Sequence, residues 1–89
     1  MRRGFQDSVV FLTGASSGIG AALAQQFARQ GARVFLTARR EDRLRAVQEQ
    51  IASEGGVAEV CVCDVTDRSS IDCAVGAAVA RFGRIDVAV

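Results

Sequence analysis

Apolar positions along the chain follow two alternating rhythms. Residues 8–13 form a short continuous apolar run, Ser-Val-Val-Phe-Leu-Thr, as expected of a strand covered on both faces. From Ile19 the spacing changes, with Ile19, Ala22, Leu23 and Phe27 on one helical face until Gly31 stops the helix. Residues 33–38 make a second apolar run. Leu44, Val47 and Ile51 then recur at helical spacing through a charged segment that ends at Gly55 and Gly56. Residues 57–62 are a third strand candidate. Ile71, Ala74, Val75, Ala78 and Phe82 form the longest helical stripe, Gly83 ends it, and residues 85–89 begin a fourth apolar run.

The predicted order is therefore βαβαβαβ. Strands joined by helical crossovers run parallel, and the crossovers share one hand. The expected architecture is α/β, a doubly wound parallel sheet of strand order 3-2-1-4, with a ligand crevice where the order reverses, beyond the carboxyl ends of the strands. Residues 1–89 read as one partial domain, because Val89 lies inside the fourth run with no turn or helix after it. The expectation is the N-terminal part of a longer protein, truncated in strand 4. Such a piece is expected to leave a large apolar patch on one sheet face and to be marginal, aggregating or swapping.

Composition restricts the chemistry. All eleven basic residues among the 89 are Arg, and Lys, His, Tyr, Trp, Pro and Asn are absent. No Schiff base, P-loop lysine, imidazole metal ligand or catalytic phenol can come from this chain. The net charge of +1 points to no nucleic acid or membrane partner, and no apolar run approaches the roughly 20 residues of a membrane span. Arginines pair only at Arg2-Arg3 and Arg39-Arg40, and Asp7 follows soon after the first pair, unlike a signal peptide. Cys61, Cys63 and Cys73 form no Cys-x-x-Cys pair, so no metal or redox motif is read. A soluble, reducing, cytoplasmic setting is the expectation. Cys61 and Cys63 share one face of the third strand and read as packing groups.

Candidate chemistry concentrates in Thr13-Gly14-Ala15-Ser16-Ser17-Gly18-Ile19-Gly20, which follows a strand and opens a helix. A diphosphate must approach backbone N–H groups at a helix N-terminus, where the macrodipole also favours negative charge. Gly14 permits the tight turn, Gly18 leaves the backbone uncovered, and Gly20 allows close packing of helix on sheet. Ser16 and Ser17 can donate hydroxyl hydrogen bonds. A P-loop would need Lys after the second glycine, where Ile19 stands.

Thr-Gly-x-x-x-Gly-Ile-Gly resembles the cofactor fingerprint of the short-chain dehydrogenase/reductase family. Cys63-Asp64-Val65-Thr66 resembles the family's Asp-Val segment after strand 3, and residues 82–87, Phe-Gly-Arg-Ile-Asp-Val, its approach to strand 4. The resemblance spans essentially the whole chain. It implies a Rossmann-type domain in which Thr13, Gly14, Ser16, Ser17, Gly18, Ile19, Gly20, Arg39, Arg40, Asp64 and Val65 contact the dinucleotide, with Asp64 at the adenine ring. The family transfers hydride between a nicotinamide and a carbonyl or alcohol, using a Tyr, a Lys, a Ser and often an Asn that lie beyond strand 4. No catalytic residue is therefore assigned here. The resemblance also implies a homo-oligomeric whole protein and a small-molecule carbonyl or alcohol substrate.

Cofactor choice is read at the end of strand 2. A carboxylate there would hold the ribose hydroxyls of NAD; Ala38 takes that place, followed by Arg39 and Arg40. A guanidinium fork suits a 2′-phosphate, so the expectation is NADP over NAD with Arg39 as principal contact and no acidic residue in its way. Both arginines have a second reading as solvated surface residues paired with Glu41, Asp42 or Glu49, and that reading is the stronger one for Arg40 and the weaker for Arg39. Asp64 has a second reading as a turn cap, and Thr66 reads as the N-cap of the third helix. The alternatives to an oxidoreductase part are a non-catalytic dinucleotide-binding module and a truncated frame without function.

Overall fold

The computed structural model describes residues 6–89; the Arg2-Arg3 pair lies outside them. Seven elements follow one another: β1 (Val9–Leu12), α1 (Gly18–Arg29), β2 (Arg33–Ala38), α2 (Glu41–Ser53), β3 (Val57–Val62), α3 (Arg68–Phe82) and β4 (Val87–Ala88). All strands pair in parallel, in the order β3-β2-β1-β4. The predicted order of elements and strands is the one found.

Strand alternation divides the core into two. Val10, Leu12, Val34 and Leu36 turn to one face and pack with Leu44, Val47 and Ile51 of α2 and Ala24 of α1. Phe11 and Phe35 turn to the other face, stacked at 5.6 Å between ring centroids, and meet Ala74 and Ala78 of α3. Phe82 closes this second cluster edge-on to Phe35 at 6.4 Å. Crossovers of one hand require this division. The two that step from β1 towards β3 put α1 and α2 on one face, and the return from β3 to β4 puts α3 on the other. Both faces of β1 are thus covered, and all four of its residues are buried.

Two expectations need correction. On α1 the packed face is Ala21, Ala24, Phe27 and Ala28; Ile19 is 79% exposed, and Ala22 and Leu23 are exposed too. Residues 19–24 are apolar on every side, and of these the small Ala21 and Ala24 face the sheet, where they let the helix approach closely; Ala28 and Phe27 complete the packed face. Asp67, not Thr66, caps α3: its Oδ1 accepts from the Ser69 N–H at 3.0 Å and from the Ser69 hydroxyl at 2.8 Å. The exposed large apolar side chains among the described residues are Ile19 and Leu23 on α1, Val75 and Val79 on α3, Val57 and Val62 on β3, and Val65 and Val89 beyond the strands, and β3 is partly exposed along its length.

The fourth strand starts later than its apolar run because a side chain takes over the pairing at residue 86. Asp86 Oδ2 accepts from the Val9 N–H at 2.8 Å and from Arg84 Nε at 2.9 Å, while the Asp86 N–H donates to the Val9 carbonyl at 2.9 Å. Arg84 also donates to the Asp7 carbonyl at 3.0 Å. The Val9 N–H and Arg84, in that order, hold the Asp86 carboxyl below the usual carboxylate range.

Candidate dinucleotide-binding site

The turn between β1 and α1 is built on its own backbone. Gly14 has φ of +62°, a left-handed conformation that side chains resist. It lets the chain leave β1 sharply, after which the Ala15 N–H reaches the Thr37 carbonyl on β2 at 3.0 Å. Thr37 is fully buried, and its hydroxyl donates to the Leu12 carbonyl at 2.8 Å, tying the end of β1 to β2. Ser17 caps α1: its Oγ accepts from the Gly20 N–H at 3.2 Å and donates to the Gly14 carbonyl at 2.9 Å. Ser17 is therefore occupied in shaping the turn.

Two of the three glycines have separate steric reasons. A Cβ on Gly18 would meet nothing within 4 Å, so the backbone there is open to an incoming group. A Cβ on Gly20 would overlap the Gly14 carbonyl oxygen and lie 3.0 Å from its carbon and 3.1 Å from Ala15 Cα. Gly20 thus allows the first turn of α1 to pack on the loop preceding it, not on the sheet as the sequence suggests.

Electrostatics separates this helix start from the other two. An α-helix leaves its first N–H groups without intrahelical acceptors and carries partial positive charge there. On α2 the first turn holds Glu41 and Asp42, and on α3 the Asp67 carboxylate sits at the cap. On α1 the first turn holds no acidic residue, and the cap is a neutral serine that satisfies Gly20 alone. Among the described residues, no acceptor takes the Gly18 or Ile19 N–H. The α1 terminus keeps its positive character for an external anion.

A cleft of about 240 Å³ opens beside it, lined by Gly14, Ser16, Ala38, Arg39, Arg40, Cys63 and Val65. The sheet topology assembles it. β1 and β2 are adjacent, β2 and β3 are adjacent with Ala38 opposite Val62, and the residues just past each carboxyl end converge. Of the eleven residues expected at the site, Gly14, Ser16, Arg39, Arg40 and Val65 line this cleft. Ser17, Gly18, Ile19 and Gly20 form the adjoining helix start. Thr13 lies on the other side of β1, its hydroxyl and N–H both donating to the Val89 carbonyl at 3.0 and 3.1 Å. Ala38 and Cys63 also line the cleft, although the sequence presents Ala38 as the missing acidic position and Cys63 only as packing. The signal that places Cys63 is its seat past the end of β3, where its N–H donates to the Ala38 carbonyl at 2.9 Å.

Asp64 performs the turn role offered as its alternative. Its Oδ1 accepts from the Thr66 hydroxyl at 2.7 Å and the Thr66 N–H at 2.9 Å, and these two bonds, with a smaller contribution from Arg39, hold its carboxyl below the ordinary range. Oδ2 lies 3.9 Å from an Arg39 guanidinium nitrogen. The expectation that no acidic residue stands near Arg39 is thus corrected: the carboxylate comes from β3, not β2. Arg40 pairs with Asp42 at 3.7 Å, as its surface reading anticipates. Burial, and then the neighbouring Cys63 and Cys73, push the Cys61 thiol up, the opposite of an activated nucleophile.

A sequence profile described as short chain dehydrogenase matches residues 8–89. The chain belongs to the short-chain dehydrogenase family. Among curated members, the A-factor type gamma-butyrolactone 1'-reductase (1S-forming) of Streptomyces virginiae is 48% identical over 82 residues, covering 92% of this chain and 32% of that protein. The granaticin polyketide synthase putative ketoacyl reductase 1 of Streptomyces violaceoruber is 46% identical over 81 residues, covering 91% and 30%. Among solved structures, a metagenomic short-chain oxidoreductase in complex with NADP superposes with a TM-score of 0.89 at 43% identity, covering 94% of this chain and 38% of the other. An actinorhodin polyketide ketoreductase variant with NADPH gives 0.89 at 38% identity, covering 92% and 31%. The chain spans about a third of the length of these short-chain dehydrogenases. No helix among the described residues is long and apolar enough to cross a membrane.

Proposed function

We propose that residues 1–89 are the dinucleotide-binding part of an oxidoreductase that moves hydride between NADP(H) and a carbonyl or alcohol. The observation that carries this reading is the cleft itself. It joins an uncompensated helix N-terminus, at Gly14 to Gly20, to two guanidinium groups, Arg39 and Arg40, at the end of β2. The residues present fit such a cofactor: the open space at Gly18 admits a diphosphate to the N–H groups of Gly18 and Ile19. Ser16 adds a hydroxyl donor from the cleft wall, and Val65 and Asp64 bound the place of the adenine. Arg39 receives the 2′-phosphate, which Ala38, lacking charge, does not repel.

When bound, the nicotinamide supplies or accepts the hydride; this chain's residues bind and orient it. The chain contains no Tyr, Lys or His, so proton transfer to the substrate oxygen is not assigned to any of its residues. Titration of the chain with NADPH and NADH by calorimetry tests the reading. NADPH is expected to bind more tightly, and Arg39→Asp to reduce NADPH binding by about ten-fold or more with little effect on NADH, as expected for loss of charge-assisted hydrogen bonds. Equal affinities in the unmodified chain, or equal losses for both cofactors on substitution, would refute the choice of NADP.

A further inference from the structure

If Arg39 is the 2′-phosphate contact, as proposed, the approach of Asp64 to it bears on how the site tells its two cofactors apart. The two residues sit on opposite lips of the cleft. Arg39 follows the last residue of β2, and Asp64 lies two residues past the end of β3, so the pair spans the mouth between the strands. The Asp64 side chain is not free to turn away. Oδ1 is held by two donors from Thr66, and its backbone N–H donates to the Ser70 hydroxyl at 3.0 Å, which leaves Oδ2 pointing its charge at the guanidinium. Arg39 is the looser partner, with its side chain 74% exposed against 39% for Asp64.

The separation of 3.9 Å matters. It is close enough for attraction between full charges but too long for a direct hydrogen bond, which needs about 2.7–3.2 Å. A phosphate in direct contact can offer Arg39 two short charge-assisted bonds, so it wins the guanidinium from a partner that offers none. Arg40 differs: its carboxylate neighbour is Asp42 in the first turn of its own helix, a local pair that does not cross the cleft. We propose that Asp64 is an internal counterion for Arg39, competing with the 2′-phosphate, so that NADP must displace the Arg39–Asp64 pair whereas NAD leaves it standing. In this arrangement Asp64 is a specificity-determining residue that sets how strongly the site prefers the phosphorylated cofactor, and it holds that preference below what Arg39 alone would give.

The test separates this effect from any contact between Asp64 and adenine by using a ratio. Adenosine 2′,5′-bisphosphate and adenosine 5′-monophosphate share the adenine, ribose and 5′-phosphate, so the ratio of their affinities isolates the 2′-phosphate. Asp64→Asn keeps an acceptor for Thr66 and removes the charge; Asp64→Ser is a second variant should the first fail to fold, with circular dichroism checking both. The ratio is expected to rise about two- to five-fold at low salt, the range of an exposed ion pair, and to rise less at about 0.5 M salt, where such pairs are screened. Arg39→Gln should bring the ratio near one, and adding Asp64→Asn to it should change nothing further. An unchanged or lowered ratio in the Asp64 variants, with the Arg39→Gln collapse intact, overturns the competition alone. No effect of Arg39→Gln overturns both this inference and the assignment of Arg39.

Discussion

The two inner glycines of the loop make opposite predictions, although a motif treats them alike. At Gly20 an added methyl meets backbone: it overlaps the Gly14 carbonyl oxygen and crowds Gly14 C and Ala15 Cα at 3.0 and 3.1 Å. Backbone cannot step aside as a side-chain tip can, so the turn itself must move. Forcing a methylene into a filled space costs about 1–3 kcal/mol. Replacing glycine by alanine within a helix recovers up to about 1 kcal/mol. Overlap with backbone places this site at the upper end of that cost, so the net for Gly20→Ala is a loss of about 2 kcal/mol, equivalent to roughly 8–16 °C in Tm for a domain of this size. The displaced turn carries the Ser17 cap with it, so dinucleotide binding falls as well.

At Gly18 the same methyl meets nothing within 4 Å. Gly18→Ala should leave stability unchanged or raise it by a few tenths of a kcal/mol, and weaken binding because the methyl stands where a diphosphate must approach. Urea unfolding followed by circular dichroism reads stability, and NADPH titration reads binding. The reasoning fails if Gly20→Ala is as stable as the unmodified chain, or if Gly18→Ala keeps full affinity.

Other perturbations probe neighbouring parts. Thr37→Val removes the buried hydroxyl that donates to the Leu12 carbonyl and should cost about 1 kcal/mol in urea unfolding, with little volume change to confuse the result. Because the folded structure lowers the Asp86 carboxyl below its unfolded value, that group contributes stability above the unfolded pKa of about 4 and loses it as pH falls through the folded value. Asp86→Asn should therefore flatten the fall in stability below about pH 4, measured by denaturation at a series of acid pH values. Ile19→Glu places a carboxylate in the first turn of α1 at a position 79% exposed. It should stabilise the helix by about 0.3–1 kcal/mol while reducing NADPH affinity several-fold, opposite signs that only an anion-binding helix start produces.

How much of this was legible in the sequence depended on the range of the interaction. The strand order and the glycine loop were legible because each rests on local spacing: continuous apolar runs at residues 9–12 and 33–38, helical spacing at Leu44, Val47 and Ile51, and three glycines between a strand and a helix. The packed face of α1 was only partly legible, because nearly every position from Ile19 to Ala24 is apolar and hydrophobicity alone cannot choose between faces there; the expected Phe27 does pack, but the small Ala21, Ala24 and Ala28 join it in place of Ile19, Ala22 and Leu23. Thr66 and Asp67 are both competent caps, and the choice fell to Asp67 because the Thr66 hydroxyl donates to Asp64. The carboxylate near Arg39 stayed hidden for a different reason. Twenty-five positions separate Arg39 from Asp64, and only the pairing of β2 with β3 brings them together.

That difference in range also divides the work of the site. The grip on a diphosphate depends on backbone N–H groups and on the absence of side chains, so it is encoded by glycines within one continuous stretch. The choice between two dinucleotides depends on side-chain charge gathered from the ends of β2 and β3. Charge at the lip can therefore change without disturbing the loop, since neither Arg39 nor Asp64 bonds to residues 14–20. The converse does not hold. The loop is fastened to β2 through the Ala15 N–H on the Thr37 carbonyl, one residue before Ala38 and two before Arg39. A substitution that shifts the turn must displace the start of the arginine lip as well. Gly20→Ala should consequently weaken both cofactors and lower the preference between them, whereas substitution of the exposed Arg39 should move the preference while leaving the unfolding midpoint nearly where it was.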